Sequence, residues 1–119
     1  MDIGITEGES MSDIRTERCE ALRPLLLESL GLIPRLLGSA DVLPRFLDVV
    51  DGILAVHALG DAGIEDPLYR HWIATGGPSL RRLRDAAAAG DRHATIAAFQ
   101  GQDGAMFPIG QGCSGAPGY

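Results

Sequence analysis

The chain has 119 residues, of which 45% are hydrophobic and 22% charged, with a formal net charge of −6. That length and balance suit one domain with one modest core, and they exclude both a second independent domain and a wholly disordered chain. The acidic balance is the wrong sign for a phosphate backbone, and six aromatics supply no stacking platform, so nucleic acid is excluded as a partner.

From Ser12 to Leu37 the apolar residues Ile14, Cys19, Leu22, Leu26, Leu30, Ile33 and Leu37 recur three or four apart, the helical period. The residues before Met11 carry no such pattern, so 1–11 reads as a flexible N-terminus and Met11 as a second plausible start. Pro24 and Pro34 each remove a backbone donor and crowd the preceding turn, which predicts two shorter helical pieces. The short echo of LIPRLLGSAD in VLPRFLDVVD is too brief for a solenoid repeat. Asp41 is the expected N-cap of a helix over about 42–59, with Pro44 in its first turn and Gly60 as its stop. Phe46, Val50, Ile53 and Leu54 fall on its core side, opposite Arg45, Asp48 and Asp51.

Asp66-Pro67 signals another start, opening a helix through Tyr69, Trp72 and Ile73 that breaks at residues 75–79. Leu80 to Ala89 resumes helix, Gly90 ends it, and Asp91 caps a last helix that closes at Gly101. The expected fold is therefore all-α, a small bundle of four to five helices over 12–100. Residues 101–119, with five of the glycines and two prolines after Gly101, read as an irregular arm, flexible or ordered by packing on the bundle or on a partner.

No stretch reaches the roughly 20 apolar residues of a membrane span. The acidic start lacks the pattern of a secretory signal, so the cytoplasm is the expected compartment unless a signal has been removed. All ten basic residues are arginine and there is no lysine or asparagine, a bias typical of a GC-rich bacterial genome. Cys19 and Cys113 permit one disulfide without implying it.

Among groups that could carry chemistry, Cys113 lies between glycines near the chain end and is expected to present an accessible thiol, with no cation in the tail to activate it. His57, on the apolar side of its helix, and Trp72 are the candidates for lining a ligand pocket. The arginines and histidines over 70–93 form a locally basic stretch that reads as a solvated helix face, and Glu17, Arg18, Glu20 and Arg23 read as surface pairs. No spacing suits a metal, no nucleophile elbow or phosphate loop is present, and no cofactor is implied.

The stretch Leu83-Arg84-Asp85-Ala86-Ala87-Ala88-Ala89-Gly90-Asp91, followed by Ala97-Ala98-Phe99 and Gly110-Gln111-Gly112-Cys113, resembles the c′-type cytochromes. The resemblance covers about the last third of the chain and implies a four-helix bundle with haem attached near its end. Where that family carries Cys-x-x-Cys-His, this chain reads Cys113-Ser114-Gly115-Ala116-Pro117, so covalent haem attachment of that type is not expected.

The leading reading is a non-catalytic accessory protein whose bundle and tail residues Met106, Phe107, Ile109 and Tyr119 dock on a partner protein. A second makes the tail a substrate or carrier, modified at Cys113, Ser114 or Tyr119. A third places a non-covalent ligand or haem inside the bundle. A homodimer through Leu25, Leu27, Leu32 and Leu36 is left open.

Overall fold

The helical period of the apolar positions and a set of capping residues shape the chain. The computed structural model describes the backbone of residues 2–100 and 104–119 and the side chains of residues 14–100 and 104–119. Among these residues all regular structure is helical: α1 (Asp2–Leu36), α2 (Leu43–His57), α3 (Pro67–Thr75), α4 (Gly77–Ala88), α5 (Arg92–Phe99) and α6 (Phe107–Gly112). No helix is long and apolar enough to cross a membrane among the described residues.

α1 runs unbroken through Pro24 and Pro34, where two pieces were expected, and its bounds take in most of the segment set aside as a flexible N-terminus. The carbonyls that the two prolines leave without a helical donor belong to Glu20 and Leu30, both exposed, so water can take those bonds in place of the missing N–H. The buried face also differs from the expected one. Leu22, Ser29, Leu32, Ile33 and Leu36 face the core, Leu26 is half-buried, and Leu30 and Leu37 are exposed. Leu32 and Leu36 thus leave the exposed row proposed for a dimer, and Leu25 packs on α2 beside Gly52. Two leucine rows satisfy the same period, and contact with α2 selects one of them.

Asp41 does not cap α2. Val42 occupies the N-cap without a side-chain bond, and the turn is closed instead by the Asp41 N–H donating to Ser39 Oγ over 3.0 Å. Asp66 does cap α3, accepting from the Leu68 and Tyr69 N–H groups at 3.0 and 2.9 Å, and Asp91 accepts from Ala94 N–H at 3.0 Å to cap α5. The break between α3 and α4 shrinks to Gly76. At the end of α4 the Asp91 N–H reaches the Ala86 carbonyl and the Gly90 N–H the Ala87 carbonyl, with Gly90 at φ 75°, the left-handed stop that glycine adopts without steric cost.

α2 lies between α1 and α4, α5 packs on α4, and α6 packs on α3. Leu43, Phe46, Val49, Val50, Ile53 and Val56 of α2 are buried, and the Phe46 ring meets Phe99 of α5 edge-on at 5.9 Å. Polar ties join the helices at the rim. Arg45 of α2 pairs with Glu28 of α1 and holds that carboxyl below its usual range, while Arg84 of α4 reaches Asp51 of α2 at 2.7 Å. Arg92 donates to the Leu36 carbonyl at 3.0 Å, satisfying one of the free acceptors at the end of α1. The basic stretch over 70–93 is therefore divided, with Arg84 and Arg92 committed to helix contacts and Arg81 and Arg82 exposed.

The two aspartate caps sit on separate helices, so Asp66→Ala and Asp91→Ala are each expected to lower stability by about 1 kcal/mol, with nearly additive effects in the double variant. Urea denaturation of the three variants checks this, and unchanged midpoints would remove the caps from the account.

Candidate functional site

The site is built where α1 meets the C-terminal segment. Arg15, Cys19 and Arg23 are four residues apart, so they stand in one row on α1. Each grips residues 112–119. Arg15 donates from Nε to the Gly112 carbonyl at 2.9 Å and from Nη2 to the Ser114 carbonyl at 2.7 Å. Arg23 donates to the Pro117 carbonyl at 3.0 Å, and the Tyr119 hydroxyl donates to the Cys19 carbonyl at 2.7 Å. Between the two arginines, Cys19 is bridged to Cys113 with Cα atoms 5.7 Å apart across a sequence separation of 94.

The arm is therefore folded onto the bundle. Gly112 sits in a close approach, since a Cβ there would stand 3.1 Å from the Tyr69 Cα of α3 and one of the two backbones would have to give by a few tenths of an ångström. Gly118 combines φ 87° with the Arg23 side chain against it, so a larger residue would be both strained and blocked. Arg18, expected in a surface pair, donates to the Gly60 carbonyl at 2.8 Å and ties the α2–α3 connection to α1.

These contacts correct the reading of Cys113. It is fully buried and oxidised, so it offers no accessible thiol and no sulfur for a thioether. Ile109 is likewise fully buried and serves as the anchor of α6, leaving Met106 half-buried, and Phe107 and Tyr119 exposed among the tail residues expected to dock. Residues 101–103, where the arm was expected to start, lie outside the described residues.

Beside the clamp, Leu26, Leu27, Ser29 and Leu30 of α1 face Met106, Gly110 and Tyr119 across a cleft of about 270 Å³ with Arg23 at its edge. Met106 and Gly110 are shared with a shallower groove that continues past Phe107 to Phe99. The Ser29 hydroxyl, buried under this cleft, donates to the Leu26 carbonyl at 2.7 Å, so its proton is already committed. The walls are thus mainly apolar, which suits an apolar side chain or chain segment and offers little to a polar substrate.

His57 and Trp72 do meet. Their rings pack edge-on at 4.9 Å and His57 Nε2 lies 3.2 Å from the Trp72 carbonyl, but neither residue lines the clefts described above. Trp72 fills its own space, since a Cβ on Gly76 would fall 2.5 Å from the indole Cδ1. Trp72 is part of the core, with the half-buried His57 at its edge and Tyr69 also meeting it edge-on at 5.4 Å. Among the described residues no group of three His, Cys, Asp or Glu side chains could hold a metal ion.

The row on α1 is the feature that sequence reasoning missed. A Cys flanked at four-residue spacing by two Arg was visible, yet the acceptors of those arginines lie 94 to 99 residues away and are backbone carbonyls, which leave no trace in side-chain patterning. No family model matches the chain, and neither a curated protein nor a solved structure matches it.

Because the bridge closes a loop across a separation of 94 residues, replacing both cysteines by serine is expected to remove about 4–5 kcal/mol on the chain-entropy account. Urea midpoints of the oxidised and double-serine chains test it, and equal midpoints would contradict it. Burial raises the Tyr119 hydroxyl above its ordinary value, opposed by the nearby Arg23 charge. The protonated form is the one the fold favours, so stability is at full strength below about pH 10 and falls as pH climbs through the folded value. Tyr69, also raised by burial, adds to the same decline. Tyr119→Phe should flatten part of that alkaline loss, and an unchanged slope would show that the hydroxyl is not held in the clamp.

Proposed function

We propose that the chain is a non-catalytic accessory protein that docks on a protein partner through the outer face of α1 and the adjoining C-terminal segment. One observation carries this reading: Leu27, Leu30 and Leu37 are 62%, 57% and 71% exposed, with Phe107 and Tyr119 beside the same cleft system. From Pro24 to Pro34 the only charged residue is Glu28, and it is turned to Arg45 of α2. A helix that is apolar on every side gains by being covered on every side. Contiguous apolar surface of this kind marks an interaction site.

The buried Cys19–Cys113 bridge supports an oxidising compartment as the place of action, in place of the cytoplasm expected for free thiols. It also counts against Cys113 as the modified residue of the carrier reading, while Ser114 and Tyr119 stay exposed in a segment fixed at both ends. The interior-ligand reading has less support, since His57 and Trp72 pack against each other.

A photo-crosslinking residue placed at Leu30 in the native host is expected to capture a protein, and the same residue at Asp48, exposed on α2, is expected to capture none. Absence of a Leu30 adduct, or equal adducts at both positions, would overturn the docking reading.

A further inference from the structure

We propose that the partner on this face is a second copy of the chain, docked through an antiparallel α1–α1 contact; the inference rests on the docking reading above and names its occupant. Leu27, Leu30, Pro34 and Leu37 follow one another at intervals of three, four and three, and all four are exposed. Leu37 lies in the turn that follows α1 directly, where its N–H donates to the Pro34 carbonyl at 3.2 Å. That alternation is the seam by which one helix packs along another, so the surface calls for a helix as its complement.

The seam reads the same in both directions, which suits a twofold contact with itself. With the axis level with residue 32, Leu27 faces Leu37 of the second copy and Leu30 faces Pro34 of the second copy. The incoming Leu37 arrives at the mouth of the 270 Å³ cleft, whose walls include Leu26, Met106 and Tyr119. The same register carries Arg23 toward the turn that holds the exposed Asp41 of the second copy, a pairing of opposite charge at each end of the contact.

Gly31 supplies an independent observation. It lies inside α1, is exposed, and has open space around the position of a Cβ, so nothing in the single chain requires glycine there. An exposed glycine in a helix interior weakens the helix, and its use beside the seam is accounted for if another helix passes close over it. Leu27, Leu30 and Leu37 are each more than half exposed, and a twofold contact along this row covers all three in both copies.

Sedimentation of the full oxidised chain at micromolar concentration is expected to give the mass of two chains, and Leu30→Asp and Gly31→Arg are each expected to give one, with unchanged circular dichroism. Both sites are exposed, so the variants leave the core intact. Crosslinking from position 30 is expected to join two copies at the peptide containing Pro34. A single-chain mass throughout, or a dimer indifferent to both variants, overturns the proposal. A position-30 adduct with a different protein also overturns it but leaves the docking reading standing, and no adduct at all removes both.

Discussion

Everything at the C-terminal end of this protein depends on one covalent constraint, the bridge between Cys19 in α1 and Cys113 at the end of α6. A segment with this much glycine loses more conformational entropy on ordering than its few apolar side chains return. Closing a long loop removes much of that freedom from the unfolded chain before folding begins. Arg15 and Arg23 then satisfy carbonyls of the segment on either side of the bridge, and Ile109 anchors α6 against the bundle. Without the bridge, α6 and the turns after it would depend on these contacts and on packing against α3 alone.

The bridge also shapes the cleft beside the exposed leucines. Fixing α6 and Tyr119 beside α1 sets Met106 and Tyr119 opposite Leu26 and Leu30, and so makes a cleft from what would otherwise be one bare helix face. Clamp and apolar face follow one another along the same row of α1: Arg15, Cys19 and Arg23 hold the C-terminal segment, and Leu27 and Leu30, further along, stay exposed. One helix thereby serves as the core's wall and the tail's anchor, and carries the exposed leucines on which the docking proposal rests.

Much of the fold was legible in the sequence. Asp66-Pro67 and Asp91 mark helix starts through short-range hydrogen bonds that depend on adjacent residues alone, and the core side of α2 follows from its period. The start of α2 was misassigned because Ser39, two residues earlier, takes the bond that Asp41 was expected to make. The outward row of α1 could not be told from the inward one, since Leu26, Leu30 and Leu37 repeat as well as Leu22, Leu32 and Leu36 do, and which row is buried is decided by α2. The site was least legible. Its acceptors are the carbonyls of Gly112, Ser114 and Pro117, and backbone groups carry no sequence signature of the side chain that will reach them. The same glycines that argued for an irregular arm are the residues that let it lie flat against Tyr69 and Arg23.

The account stands or falls on the state of the two cysteines in the protein as the host makes it. Alkylation of the purified chain without reductant, followed by proteolysis and peptide mass analysis, reads that state directly. A single linked peptide pair joining Cys19 to Cys113, with no alkylated cysteine, is the predicted result. Two alkylated cysteines in a chain of full helical content would contradict it, releasing the C-terminal segment and with it the cleft.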